Sequence, residues 1–225
     1  EGLELGHVTG MGLYDSRRVY FNRFSAIRGK DHAIVGAAYL PLDLNLNSEN
    51  LGEMFMADSM WVDVSGDFKH LEFLSEYLID VDSLPGNHNV SLQIAGPPDK
   101  LVRNGKISIK DGSIYTILLD EPIKGVNGKG ILVNNLLSIE NLVGAATIKP
   151  ENNKANIFVG GNIIMTKFFE PYYDLSAKGS NVFFKTLLGD IEGMVNIDVY
   201  ITGRDTITIA GGIEAIDAVM YQEFE

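Results

Sequence analysis

Hydrophobic and polar residues alternate along most of the chain, which is typical of β-strands that turn one face toward an apolar environment. In residues 87–95, Val90, Leu92 and Ile94 alternate with polar side chains. Shorter runs of the same kind follow at 106–110, 113–119, 129–134, 136–142, 155–160, 162–168, 172–178, 181–187, 194–202 and 205–210. Gly, Asn and Asp separate these runs, so the pattern predicts an all-β protein built as a long antiparallel meander.

Three glycine-containing segments predict turns between these strands. The pair Asp111-Gly112 and the run 160–162 are typical of tight hairpins. The glycines in 125–130 resemble a phosphate-binding loop only in composition, because no Lys-Ser/Thr follows and the next segment is a strand pattern. We therefore expect a turn at this position also.

One segment, Phe68 to about Ile79, has helical rather than strand periodicity. Asp67 is suited to cap its amino terminus, leucines recur on one face, and Pro85-Gly86 lies beyond its end. The sequence therefore predicts one short helix near 68–79 that lies along the sheet.

The chain contains an internal repeat. Three glycines recur after 107 residues: Gly86, Gly96 and Gly105 match Gly193, Gly203 and Gly212. Upstream, Phe55 and Gly66 match Phe168 and Gly179 at an offset of 113, which places six additional residues in one connection of the first copy. Repeated units of this kind stack into a continuous surface. We expect residues 1–52 to be the end of a preceding unit, 53–165 to be one repeat with the helix, and 166–225 to begin the next.

Composition narrows the classes of function. The net charge of −12 argues against nucleic-acid binding, which requires clustered Lys and Arg. The chain has no cysteine, so disulfides, thiolate metal sites and a cysteine nucleophile are excluded. No apolar run approaches the roughly 20 residues of a membrane helix, and the first residue is Glu1, which suggests a fragment of a longer protein.

Residues with catalytic potential are scattered. The histidines, at 7, 32, 70 and 88, lack metal-ligand spacing. Asp43, Asn45 and Asn47 imitate the start of a calcium loop, but Ser48 and Met54 occupy the positions that require Gly and Glu. We expect no catalytic residues, no metal site and no cofactor.

The alternating apolar positions are the candidate site. They are either a closed core between packed sheets or an open groove, and the pattern alone allows both. The residues expected to line a groove for lipid chains are Val90, Leu92, Ile94, Ile107, Ile109, Ile131, Val133, Ile157, Val159, Ile197, Val199 and Ile201.

A resemblance to a known family favours an open groove over a closed core. Several segments resemble the repeating unit of the TamB branch of the AsmA-like cell-envelope proteins. They are the predicted helix with its leucine-rich face before Pro85-Gly86, the alternating strand from Gly86 to Gly96, the link 97–100, the run from Gly105 to Ile114 and the entry into the second alternating strand at 190–193. The likeness covers roughly residues 55–221 and consists of loose patterns of glycine and alternation.

The resemblance implies a β-taco, a curved U-shaped sheet with an apolar groove, in a periplasmic protein anchored in the inner membrane by a segment absent here. It implies phospholipid acyl chains as partners, transport of phospholipid toward the outer membrane, and a link to the assembly or secretion of outer-membrane proteins. A β-barrel assembly protein of the outer membrane is a further implied partner, reached through parts of the chain that are missing.

Two alternatives to lipid transport stay open. The surface could be chaperone-like and pair with client β-strands at an exposed edge, for which 206–209 is the candidate. It could also be a structural β-repeat scaffold whose core is filled.

Overall fold

The structure is a computed structural model and describes residues 7–28, 32–44, 56–70, 81–116, 119–147, 154–166, 170–186 and 191–221. These residues form strands and no helix, so the predicted all-β class is confirmed. The strands are β1 (His7–Asp15), β2 (Arg18–Arg28), β3 (His32–Leu40), β4 (Met60–His70), β5 (Val81–Ser83), β6 (Pro85–Gly96), β7 (Val102–Thr116), β8 (Ile123–Val133), β9 (Leu136–Ala145), β10 (Ile157–Ile164), β11 (Tyr172–Lys185), β12 (Ile191–Gly203) and β13 (Ile207–Met220).

The strands follow one another in a single antiparallel sheet, as the alternation predicted. Its order is β1-β2-β3-β4-β6-β7-β8-β9-β10-β11-β12-β13, and the short β5 pairs with β7. Apart from β5, each strand therefore has its neighbours in the chain as its neighbours in the sheet. Within the described residues, β1 and β13 each have a strand on one side only.

The strands are longer than the sequence predicted, because several turn signals lie inside strands. Asp111 has φ of 51° within β7, where we expected a hairpin, and Gly161 has φ of 127° within β10. Residues 125–130 lie within β8, and Asn181, with φ of 51°, lies within β11. Register shifts accompany Gly161 and Asn181, and neither residue is in a turn. Asn181 lies in a β-bulge of β11, and Gly161 lies beside a β-bulge of the neighbouring β9.

The helix prediction is wrong where it can be compared with the structure. Phe68 to His70 continue β4, and the carboxylate of Asp67 accepts a hydrogen bond from the side chain of Asn89 at 2.8 Å instead of capping a helix. Residues 71–79, the remainder of the prediction, lie outside the described residues, as does the expected unit boundary between residues 52 and 53.

The repeat corresponds to three matching strands. β4, β6 and β7 match β11, β12 and β13, and the matched Gly96 and Gly203 have φ of 115° and 126° at the ends of β6 and β12. At such values only glycine is free of steric strain.

In the structure, the third glycine of the first copy matches a residue one position earlier than the sequence predicted. A Cβ on Gly105 would lie 3.2 Å from Leu92 Cα, and one on Gly211 would lie 2.8 Å from Val199 Cα. Leu92 and Val199 are 107 residues apart, so the structural equivalent of Gly105 is Gly211 and not Gly212. The spacing from Gly203 to Gly211 is therefore one residue shorter than the spacing from Gly96 to Gly105.

The chain divides into two compact units. Unit 1 contains the described residues within 1–68, 89–107 and 132–135, and unit 2 contains those within 69–88, 108–131 and 136–225. The repeat boundaries expected at 52/53 and 165/166 stay predictions. No helix in the described part of the chain has the length and apolar character needed to cross a membrane.

Candidate binding surface

In unit 2 the register of β9 to β13 collects apolar side chains on one face of the sheet. Residues directly opposite each other on antiparallel strands share a face. One row across five strands contains Leu142, Val159, Ala177, Val199 and Gly211. The two adjacent rows are Gly144, Ile157, Gly179, Ile197 and Ile213 on one side, and Ile139, Gly161, Leu175, Ile201 and Ile209 on the other. We call these three rows the apolar face of unit 2.

The opposite face of the same strands is mainly polar. One of its rows contains Ser138, Asn162, Asp174, Thr202 and Thr208. Ser138 and Asn162 are hydrogen bonded at 2.9 Å in this row. Lys178 pairs with Asp198 and Asn196 donates to Glu214 on the same face. Tyr200, which the pattern left ambiguous, also lies here and is 52% exposed.

The apolar face is closed at one end and accessible elsewhere. Ala146, Val182 and Val195 are buried together, and Ile123, Ile157, Phe184 and Ile197 pack against them. Farther along the same face, Val159, Val199 and Ile201 are only half-buried, while Ile209 and Ile213 of β13 are each 68% exposed. The buried cluster therefore accounts for one end of the face, and the rest remains half-buried to exposed.

Backbone hydrogen bonds connect two segments at the closed end of the apolar face. The amide of Asp120 donates to the carbonyl of Lys185 at 2.9 Å, and Leu119 forms an isolated bridge with Thr186. The segment before β8 therefore meets the end of β11, two strands beyond its sheet neighbour β9. The Lys185 ammonium lies 2.9 Å from the Asp120 carboxylate at the same place.

Asparagine side chains form hydrogen bonds to backbone groups at several places in unit 2. Asn156 accepts a hydrogen bond from the amide of Ala146 and donates one to its carbonyl, both at 3.0 Å. The amide of Asn181 donates to the side-chain oxygen of Asn196 at 3.2 Å, and the amide of Asp111 donates to that of Asn127 at 3.1 Å. Asp111 and Asn181, which both have positive φ within a strand, are thus each fixed by an asparagine of the following strand.

Unit 1 has an apolar face of its own. The register of β1 to β4 places Phe24, Gly36 and Val64 in one row and Phe21, Ala38 and Val62 in the next. In β6 the polar residues lie on the other face, because Asn89 bonds to Asp67 and Gln93 bonds to Asp63 of β4. Strand alternation then places Val90, Leu92 and Ile94 on the apolar face, where all three are half-buried.

Ten of the twelve predicted groove residues fit this arrangement. Five of them, namely Ile157, Val159, Ile197, Val199 and Ile201, share the apolar face of unit 2. Ile107 in unit 1 and Ile109 in unit 2 are half-buried and alternate along β7 with exposed Lys106 and Lys110 and half-buried Ser108.

Ile131 and Val133 do not fit it. They are 37% and 53% exposed, whereas Leu132 between them is 7% exposed and Val126 is 2% exposed. The even-numbered residues of β8 therefore form its buried face. Sequence reasoning missed Val126 and Leu132 because Ile131 and Val133 give an equally good alternating pattern, one residue out of phase.

Sequence reasoning also missed a row of large side chains on the face of unit 1 opposite its apolar face. Leu13, Tyr20, Tyr39 and Trp61 lie opposite one another across β1 to β4. The rings of Tyr20 and Tyr39 are 5.1 Å apart, and Trp61 is 41% exposed. Both faces of β1 to β3 therefore carry apolar groups, whereas the sequence predicted one.

The charged groups with shifted titration are at the surface. The hydrogen bond that Arg18 donates to Asp58 raises the pKa of Arg18, and the one that Lys185 donates to Asp120 raises the pKa of Lys185. The hydrogen bond to Glu192 raises the pKa of Tyr221. The Tyr221 hydroxyl donates to Glu192 at 2.7 Å and so ties the residue after β13 to β12.

Among the described residues, no group of three or more His, Asp or Glu side chains has the arrangement of a metal site. A surface depression of about 390 Å³ lies in unit 1, lined by residues of β1 and β2 that include Met11, Arg23 and Phe24. None of the twelve predicted groove residues lines it.

The fold and surface define an open antiparallel sheet with a repeated hairpin and a continuous apolar face in unit 2. Comparison with protein-family models, with curated proteins and with solved structures finds no match to this chain.

Proposed function

We propose that the apolar face of this chain shields lipid acyl chains. The observation that carries the proposal is the half-buried run of apolar rows in unit 2, with a mainly polar face behind it. A sheet with this asymmetry can present a continuous apolar track on one side and stay hydrated on the other.

The dimensions and energies of the track suit an acyl chain. A row from β9 to β13 crosses four interstrand steps of about 4.8 Å, hence roughly 19 Å. Burial of each CH₂ group contributes about 0.8 kcal/mol, so a chain of sixteen carbons gains on the order of 12 kcal/mol before entropy and competing contacts are subtracted. Because the rows contain no charged residue, the attraction is non-directional and allows a chain to slide.

The wider role follows from the sequence resemblance. We propose that the chain is a segment of an envelope protein that bridges the periplasm and conducts phospholipid toward the outer membrane, with a connection to the assembly or secretion of outer-membrane proteins. In this role the chain performs no chemistry and requires no cofactor. Its partners are phospholipid acyl chains.

Native mass spectrometry with lipid extraction tests the proposal, using a face-specific pair of variants in each unit. In unit 2, Val199→Asp places a carboxylate in the apolar row, and Tyr200→Asp places one on the polar face of the same strand. In unit 1, Leu92→Asp and Ser91→Asp form the corresponding pair. Circular dichroism and thermal melting establish whether each variant is folded.

We expect phospholipid to co-purify with the wild-type chain and to be lost from folded Val199→Asp or Leu92→Asp, while the two polar-face variants retain it. A wild-type chain that binds no phospholipid, even after incubation with phosphatidylethanolamine vesicles, would contradict lipid shielding. Unfolding of both apolar-face variants with retention of fold in their controls would show a closed core, and would also contradict it.

A further inference from the structure

The outer edge of β13 is a long strand edge with little of the usual protection. Its 14 residues include no Pro, Lys or Arg, and the charged side chains among them are Glu214 and Asp217. From Ile207 to Ala215 its pairing with β12 is regular, and a register shift occurs only beyond Ala215. Ile209 and Ile213 are each 68% exposed.

The internal repeat indicates what covers this edge. β13 is the counterpart of β7, and the edge of β7 that faces away from β6 is paired with β8. The same position beside β13 has no strand among the described residues. Because β6-β7 and β12-β13 are two copies of one hairpin, a strand of the β8 type suits the edge of β13 in direction and alternation.

The charges of the two strands favour this pairing. β13 carries Glu214 and Asp217 and no basic residue, whereas β8 carries Lys124 and Lys129 and no acidic residue. Glu214 and Asp217 lie on the polar face of β13, opposite Asn196 and Met194. Lys129 is exposed and alternates with the buried Gly130 of β8, so it lies on the corresponding face of its own strand.

From these observations we infer that β13 is a strand-pairing edge, whose partner is an antiparallel β-strand of the β8 type with apolar residues on one face and lysine on the other. The added strand extends the apolar rows by one step, and its backbone groups satisfy the free groups of β13. This inference is independent of whether the apolar face holds lipid.

The probe is a fluorescein-labelled peptide of residues 121–135, added to the full chain and followed by fluorescence anisotropy. Hydrogen exchange with mass spectrometry locates the binding strand. The control peptide carries Val126→Asp and Leu132→Asp, which remove the apolar alternation and leave the lysines in place. Two chain variants complete the design: Ile213→Lys on the apolar face of β13, and Ala210→Lys on its polar face.

We expect saturable binding that weakens as salt is added, slower exchange of amides in 207–220, and at least tenfold weaker binding of the control peptide. Ile213→Lys should weaken binding at least tenfold, and Ala210→Lys should weaken it less than threefold. No slowing of exchange in 207–220 at saturating peptide would overturn the inference, as would protection confined to β1 or to the strands beside β8. Equal binding to Ile213→Lys and wild-type chain, with both folded by circular dichroism, would also overturn it.

Discussion

The side-chain amide of Asn156 donates a hydrogen bond to the backbone carbonyl of Asn181 across 2.9 Å. The same side chain bonds to both backbone groups of Ala146, a buried residue between β9 and β10. Asn156 thus joins the connection between two strands to the bulge of a third. A side chain of any other length leaves polar backbone groups beside the buried cluster without these bonds.

We predict that Asn156→Ala lowers the free energy of unfolding by about 2–3 kcal/mol, because a buried donor or acceptor that loses its partner costs about 1–3 kcal/mol. Urea unfolding followed by circular dichroism measures the change. The neighbouring exposed residue supplies the control, since Lys154→Ala should alter stability by less than about 0.5 kcal/mol. Equal effects of the two substitutions would contradict a structural role for Asn156.

Gly211 and Gly212 are adjacent in β13 and should respond oppositely to substitution. Gly211 has φ of 136°, and a Cβ there would collide with the carbonyl oxygen of Asp198, whereas a Cβ on Gly212 would meet nothing within 4 Å. Gly211→Ala should therefore destabilise the chain by about 1–3 kcal/mol, and Gly212→Ala by less than about 0.5 kcal/mol. Thermal melting of the two variants is the measurement, and the reverse order would restore the match of Gly105 with Gly212.

Substitutions at Leu132 and Val133 test which face of β8 is buried. Leu132 is 7% exposed and Val133 is 53% exposed. Truncation of a buried leucine to alanine costs about 2–5 kcal/mol, and truncation of an exposed valine costs little. We expect Leu132→Ala to shift the urea midpoint strongly and Val133→Ala to leave it nearly unchanged. A larger effect of Val133→Ala would place the sequence-predicted groove residue on the buried face after all.

The pair of Lys185 and Asp120 predicts a pH dependence of stability. Its hydrogen bond raises the pKa of Lys185 above the usual 10.5, so the protonated amine is favoured in the folded chain. The resulting stabilisation is fully present below about pH 10.5 and is lost as the pH rises through the higher folded value. Because both side chains are partly exposed, at 35% and 42%, the effect is screened by solvent and falls with added salt.

Melting temperatures at pH 8 to 12 measure this dependence. The difference between the wild-type chain and Lys185→Met should be present at pH 8 and should shrink above pH 10.5. Lys178→Met removes a pair that is 60% and 58% exposed and serves as the matched control, for which we expect little change across the range. A difference for Lys185→Met that grows as the pH rises would contradict the assigned direction.

The sequence predicted the strands well and their ends poorly, for a physical reason. Asp111 and Asn134 both have positive φ, at 51° and 50°, yet Asp111 is inside β7 and Asn134 turns the chain between β8 and β9. A bulge and a tight turn require the same left-handed backbone, so both select Asn, Asp and Gly. Only the pairing with the following strand, here Asn127 with the amide of Asp111, distinguishes the two cases.

The candidate surface was predictable to the same degree. Period-two alternation identified Ile197, Val199 and Ile201 as neighbours on one face, and the register with β11 and β13 agrees. In β8 three consecutive residues, Ile131 to Val133, are apolar. The run is therefore compatible with burial of either the odd-numbered or the even-numbered residues. Which residues of such a run are buried depends on their contacts with neighbouring strands. The sequence of a single strand does not contain this information.

Because of the meander order, the sheet can be extended by adding strands at any point along the chain. Since nearly every strand pairs with the strands before and after it in the chain, one hairpin can be inserted or removed without rerouting any connection. Two strands are the smallest such step, because an even number keeps both the strand direction and the apolar side in phase. Each step also adds contacts that are local in sequence, a property associated with rapid folding. Duplication of an even number of strands is therefore a physically easy way for such a protein to lengthen over evolution. The matched strands β6 and β12 are six places apart in the sheet order, which is an even number.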